Sequence, residues 1–518
     1  SAGRSTLYPK TDAGRSWNTA VVVNTVSTEG PFAVQSVASA DGATQRTVTW
    51  LSPIGASLEG TAQLRLIPEG GDWAEARTVT GTTETVAFTE TNSGTALRLN
   101  TVKVDRLTPN TTYSYQVGDG SSWLDTVHTF TTASDDPEGA TNFFIFGDIQ
   151  TDSTANLAAA IEKVKASGIQ YAFGIQTGDA IDNPTAFSNW RSYLTVLNAQ
   201  TLGAIDVVHT LGNHEYYGDA DGSNAGSIFA LPTYAGGSFY SVEYGSVYVA
   251  VVNNGGDFKA ALEGVAADAA NSDCIWKVLV VHEPIYGTVE ELDAETRKEL
   301  TAIIEGAGID FVFTGDDHAY ARTVPLKGDA EVEPEDGVVY YICGDLSGKD
   351  NEYHVFDYFA KSIPHSEYGG MYLSVQADGT QMTITAYDYQ GYLLDSYTKT
   401  KEKSPCDLGE HTYNGDSLYD LSAGTVSCAL CDETVSAAES GYTDLLNTTG
   451  GEGRVLLVQG VLQKDGWFTW GEEMCHVAAN GLIHSIVPLV DTATCLTNGQ
   501  LKATCTKCGE DYGGQATW

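Results

Sequence analysis

Five apolar runs of strand length, Phe143 to Phe146, Tyr171 to Ile175, Ile205 to Leu211, Val278 to Val281 and Phe311 to Phe313, each stop at residues that bind metals or move protons. The clusters are Gly147-Asp148, Gly178-Asp179, Gly212-Asn213-His214-Glu215, His282 and Gly315-Asp316-Asp317-His318. Short apolar runs bounded by turn residues are the pattern of buried strands. Between the first three lie helical spacings, Leu157, Ile161 and Val164, then Trp190, Leu194 and Leu197, so this stretch reads as an α/β core. Strand C-termini in such a sheet open on one crevice, and five clusters at five strand ends converge there. A single Gly-Asp is more simply a turn, and a single strand-end histidine a packed residue. The order and placement of all five are what signal a site.

The fold class expected is multidomain. Residues 1–26 read as an N-terminal extension. Residues 27–134 alternate as short strands, such as Thr47 to Trp50 and Tyr113 to Val117, between Gly, Asn and Pro turns, the pattern of a small β-sandwich. Ala133 to Gly139 has linker composition. The α/β domain then occupies 141–400 and closes with a hairpin-rich run from Tyr372 to Thr398. Beyond the charged, proline-ended stretch Lys399 to Pro405, residues 405–518 form a small cysteine-rich region.

With 68 acidic and 27 basic residues the formal charge is −41. Such a surface repels phosphate backbones and anionic membranes, which excludes nucleic acid binding as the main task. No apolar run approaches the roughly 20 residues of a membrane span.

The ordered set Gly-Asp, Gly-Asp-x-x, Gly-Asn-His-Glu, Val-Val-His and Gly-x-x-His resembles the signature of the calcineurin-like metallophosphoesterases. Three further stretches are similar to the purple acid phosphatase branch: His318-Ala319-Tyr320-Ala321-Arg322, Phe239 to Gly245, and Leu107 to Tyr113 within a fibronectin III-like N-terminal domain. The resemblance implies a central metallophosphoesterase β-sandwich flanked by helices. It also implies hydrolysis of phosphate monoesters at a binuclear centre of Zn, Fe or Mn. Asp148, Asp179 and His318 would hold one metal, and Asp179, Asn213, His282 and Asp316 the other, with Asp179 shared. His214 would touch the phosphate or protonate the leaving group, and Tyr286 and Arg322 would reach the substrate, a phosphorylated small molecule or glycan. Arg322 also reads as a residue that only ties down its loop.

The chain departs from the purple enzymes in four places. Asp182 stands where their metal-binding tyrosine belongs, so their colour is expected to be absent. Asp182 reads equally as a ligand to the first metal or as the cap of the helix containing Trp190. Asp316 replaces an imidazole at the second metal. Glu291 and Leu292 occupy the place of a histidine pair, and Gln150 offers no strong ligand. A phosphodiesterase is therefore the rival enzyme. A cell-surface binding protein that has lost catalysis is the rival of another class.

Cysteines crowd the tail. Cys406, His411, Cys428 and Cys431 form one unit, and His484, Cys495, Cys505 and Cys508 a second. Each offers three thiols and one imidazole, enough for a closed structural zinc site; disulfides are the other reading. The units resemble cysteine modules on surface proteins of Gram-positive anaerobes. Gly466 to Gly471 with Ala479 to Gly481 resembles a wall-binding repeat. The expected setting is secreted or on the cell surface of a Gram-positive bacterium, with wall or glycan attachment through the tail.

Overall fold

The computed structural model describes residues 4–7, 21–24 and 31–401, apart from 56–57, 59, 90–94, 151–153, 202–203 and 232–238. In the tail it describes 413, 416–431, 433–440, 443–449, 451–470, 473–488, 490–491 and 500–515. The chain divides into two compact units, Ser1–Lys401 and Glu402–Trp518.

In the first unit the expected apolar runs are strands. Thr141–Phe146, Phe173–Gln176 and Asp206–His209 lie parallel and in register, so their ends stand level. Trp276–Val281 and Phe311–Thr314 lie parallel in a second, seven-stranded sheet, between Val247–Val252 and Val339–Cys343. Both faces of this second sheet are covered, which is why its strands are apolar throughout. Val249, Val251, Val278, Val280 and Phe313 face the first sheet's core. Their neighbours Tyr248, Ala250, Val252, Leu279 and Val281 pack on Leu262, Val265, Leu300 and Ile304 of the helices Phe258–Ala269 and Ala294–Gly306. Asp257 and Asp293 cap these two helices through the N–H groups of Ala260 and Thr296. Helices Ala155–Ala166 and Phe187–Thr201 bury the expected Leu157, Ile161, Val164, Trp190, Leu194 and Leu197 against the first sheet.

The N-terminal sandwich is not a separate bead on the chain. Its outer sheet has four strands, His128–Thr131, Thr112–Gly118, Gln63–Pro68 and Arg77–Thr80. Its inner strands, Phe32–Val37, Arg46–Pro53, Thr95–Val104 and Thr82–Phe88, continue the first sheet, with Val37 opposite Val207. One ten-stranded sheet therefore runs through both. Leu64, Leu66, Tyr115, Val117 and Phe130 meet Val48, Trp50 and Val102 between the layers. The Tyr113 hydroxyl accepts the Thr108 N–H at 3.0 Å, a corner that fixes the turn Leu107 to Tyr113. At the junction Arg46 and Asp206 form an ion pair with almost no exposure. Asp206 also accepts from Tyr244 (2.8 Å) and from Ser36, while Arg46 donates to the Thr131 carbonyl (2.8 Å).

The second unit is almost wholly β. Its described residues form a six-stranded sheet and two three-stranded sheets. Among the described residues, no helix of the protein is long and apolar enough to cross a membrane.

Candidate active site

At three of the five strand ends the chain turns through left-handed backbone at five non-glycine residues, Asp148, Gln150, Asp179, Asp316 and His318, with φ between 34° and 65°. Such conformations cost about 1–3 kcal/mol each and persist only where surrounding structure enforces them. Here the loops brace one another. Asp148 N–H donates to the Gly178 carbonyl (3.2 Å), Ile149 N–H to the Asp179 carbonyl (3.0 Å) and Asp316 N–H to Asp148 Oδ1 (3.1 Å). Gly212 is required sterically, because a Cβ there would strike Asp179 Oδ1 and His282 Nε2.

The two histidines are held by the nitrogen that does not face the site. His282 Nδ1–H donates to the Thr177 carbonyl at 3.0 Å, and His318 Nδ1–H to the Lys349 carbonyl at 3.1 Å. A carbonyl only accepts, so each Nδ1 carries a proton and Nε2 is the nitrogen that faces the crevice. Around His282 Nε2 lie Asn213 Oδ1 (3.1 Å), Asp179 Oδ2 (3.3 Å) and Asp316 Oδ1 (3.7 Å). His318 Nε2 lies 3.6 Å from Asp148 Oδ1. All six residues of the two expected ligand sets, Asp179 being shared, thus come from the five converging loops, and ligand atoms of Asp148, Asp179 and His282 fall within 4.8 Å of one another.

Asp148, Asp179 and His282 are fully buried, and their charges are mutually dependent. Burial pushes the Asp148 carboxyl up to about 6, although His318 and His282 oppose it. Burial would lower His318, but Asp148 outweighs it and lifts the imidazole to about 9. His282 rises in the same way, its burial outweighed by Asp179. Asp148 Oδ2 is buried with no hydrogen-bond partner among the described residues. Carboxylates, an amide oxygen and imidazole nitrogens that face one another fit a pair of hard or borderline cations such as Zn, Fe or Mn.

Other predicted residues fall around this centre. His214 is braced through Nδ1 by the Asp182 carbonyl (2.9 Å), its ring 4.5 Å from that of Tyr217 and its Nε2 3.8 Å from Asp179 Oδ2. Asp182 does not join the ligand atoms. Its half-exposed carboxylate pairs with Lys349 Nζ at 3.2 Å, and it precedes the helix start at Phe187 by too many residues to cap it. Tyr286 is buried beside Tyr340, and its hydroxyl donates to Asp329 at 2.5 Å. Arg322 is clamped by Asp395 at 2.8 Å beneath the Tyr397 ring, so the loop-tying reading describes it.

Sequence reasoning missed four supports. Glu215, fully buried, accepts the N–H groups of Asp179 (3.0 Å) and Gly212 (2.8 Å); burial and then Asp179 push it up to about 8. Its place in Gly-Asn-His-Glu was the available signal. Gln150 donates to Asp179 Oδ2. Lys349 Nζ also reaches Gln150 Oε1 at 3.0 Å. Asp317 holds the loop of Thr288 and Val289, accepting the Val289 N–H at 3.1 Å. Lys349 follows Ser347 and Gly348 in a loop with no distinguishing spacing.

Fold and ligand constellation together are those of a metallophosphoesterase domain. Residues 141–320 match the family described as calcineurin-like phosphoesterase. Residues 32–132 match the family described as purple acid phosphatase, N-terminal domain. The purple acid phosphatase PPD1 from yellow lupin (Lupinus luteus) seeds has the same fold, with a TM-score of 0.63 at 14% identity over 75% of this chain and 78% of that one. Two Mycobacterium tuberculosis proteins, MT2654 and Rv2577, both described as uncharacterized, are 25% identical over 296 residues. That alignment covers 47% of this chain, and the chain spans about half (54%) of the length of these curated relatives.

Proposed function

We propose that the protein hydrolyses phosphate monoesters at a two-metal centre. Asp148, Asp179 and His318 would hold one ion, and Asp179, Asn213, His282 and Asp316 the other. The observation that carries this reading is the ring of acceptors around His282 Nε2, three oxygens within 3.7 Å, which a cation would satisfy. Bound metals would supply an acidified water and neutralise charge on the phosphoryl oxygens. His214, oriented by the Asp182 carbonyl and by Tyr217, gives its proton to the leaving oxygen. Lys349, at the same mouth, offsets charge on the incoming phosphate. With Asp182 tied to Lys349 and no tyrosine in its place, the loaded protein is colourless.

The test loads the full chain with Zn, Mn or Fe and compares an aryl monophosphate with its diester. Turnover of the monoester, two metals per chain in the catalytic unit, and loss of both in Asp179→Asn and His282→Ala are expected. Faster turnover of the diester would reassign the enzyme as a phosphodiesterase. Absence of turnover with metals bound would leave a binding protein. The secreted or surface setting, with wall or glycan attachment through the tail, belongs to the same proposal and is read by fractionating the producing cells.

A further inference from the structure

We infer that the C-terminal unit holds a tetrahedral zinc ion between His476, His484, Cys505 and Cys508, a site separate from the catalytic centre. The ligand set differs from the cysteine spacing expected of the sequence. Cys495 lies outside the described residues, as do Cys406 and His411 of the first unit. In the second unit the partner of His484, Cys505 and Cys508 is a histidine that no cysteine spacing points to. One ligand atom from each of these four residues lies within 4.8 Å of the other three. Zn–S bonds near 2.3 Å and Zn–N bonds near 2.0 Å hold tetrahedral ligands about 3.5 Å apart. Cys508 Sγ and His476 Nδ1 are already 3.4 Å apart.

The strands explain the convergence. Glu473–Val477 and Ile483–Pro488 are antiparallel neighbours whose register shifts between His476, opposite Ser485, and Val477, opposite Ile483, which leaves His484 as the extra residue beside His476, their rings 5.5 Å apart. Alternation along the first strand sends Cys475 the other way, into an apolar cluster with Leu445, Leu456 and Val477. Cys505 and Cys508 sit in the turn between Gln500–Thr504 and Asp511–Gln515. That turn is a knuckle. The Cys508 N–H points at Cys505 Sγ (3.4 Å), the Gly509 N–H closes on the Cys505 carbonyl (2.8 Å), and Gly509 supplies the required positive φ of 78°. An N–H aimed at sulfur favours the thiolate that a metal needs.

Two further features suit a metal. Glu510 Oε2 lies 3.1 Å from His476 Nε2, so that nitrogen carries the proton and Nδ1 is left as the ligand. Carboxylate, imidazole and metal in series is the usual support of a zinc histidine. His484 Nδ1 is buried with no hydrogen-bond partner among the described residues. Trp467 covers the site, its ring 4.7 Å from His476 and 6.2 Å from Tyr512. The aromatic hairpin is thereby used in packing its own unit. A related turn lies at Cys428, whose Sγ receives the N–H two residues on, that of Leu430, at 3.4 Å.

Cobalt(II) added to the metal-free full chain tests the assignment, because the catalytic ligands contain no sulfur and a thiolate-to-cobalt band reports only cysteine sites. Carrying Cys428→Ser and Cys431→Ser removes the other Cys-x-x-Cys pair from the signal. In that background the band is expected to persist, to vanish in His476→Ala and to strengthen about 1.5-fold in His476→Cys, as three thiolates replace two. The His476→Cys protein also shows that loss in His476→Ala is not unfolding. A band that His476→Ala leaves intact, or a Cys505–Cys508 disulfide in the freshly purified protein, overturns the inference. Aryl phosphate turnover is read in parallel and is expected to be unchanged, so failure here is distinct from failure at the catalytic centre.

Discussion

The backbone N–H of Asp316 donates to Asp148 Oδ1 at 3.1 Å, joining a loop of the first sheet to a loop of the second. This carboxylate therefore both braces the site and presents an oxygen to a metal. Asp148→Asn keeps an acceptor for the N–H but loses the charge. The variant is expected to fold with a urea midpoint no lower than the parent's while aryl phosphate turnover at fixed metal falls by about 100-fold or more.

His214 matters most where the leaving group needs a proton. His214→Gln is expected to slow an alkyl phosphate by about 100-fold, in the range of general acid catalysis. An aryl phosphate with an acidic phenol should slow far less. Equal losses on the two substrates would make His214 a phosphate contact instead.

Asp182 is paired with Lys349 and stands apart from the ligand atoms. Asp182→Asn is accordingly expected to retain both catalytic metals, as read by elemental analysis. Lys349→Met should raise KM with little change in kcat, as expected when binding common to substrate and transition state is removed. Loss of one metal in Asp182→Asn would return that residue to the coordination shell.

The Arg46–Asp206 pair is buried at the junction of sandwich and core. Removing one partner strands the other, at a cost of about 3–5 kcal/mol. Arg46→Met should lower the stability in urea by that amount. Because one sheet spans both regions, fluorescence and circular dichroism should report the same single transition for residues up to Lys401.

His209 sets an acid limit. Burial pushes its imidazole down to about 3, with Nε2 on the Tyr193 hydroxyl at 2.9 Å and the ring stacked on Phe229. The unfolded chain binds this proton near pH 6.5 and the folded one does not. Stability from this group is complete above that pH and falls as pH drops toward 3. From pH 7 to pH 5 the loss is about 2 kcal/mol. His209→Gln should flatten that slope in urea titrations.

The strand ends were legible because burial and chemistry are both local: Phe143 to Phe146 and Val278 to Val281 announce strands, and the Gly-Asp or His after each announces the turn. The supports were not. Lys349 reaches Gln150 from about 200 residues away in sequence, and Val37 meets Val207 across two regions that composition alone separates at 133–139. Long-range pairing leaves no periodicity. Two helices were readable but unread, since Asp257 and Asp293 are ordinary caps before Leu262 and Val265, and before Leu300 and Ile304. His476 carried no signal at all, because a ligand supplied by a strand need not keep any spacing from the cysteines it joins.

The left-handed residues at the strand ends set a rule for altering this protein. Glycine adopts such backbone without strain and asparagine with little, so selection for heat tolerance alone would favour those replacements at Asp148, Asp179 and Asp316. Each would gain robustness by deleting a ligand. Thermostability screens that do not also score turnover should therefore yield sturdier chains with an erased centre.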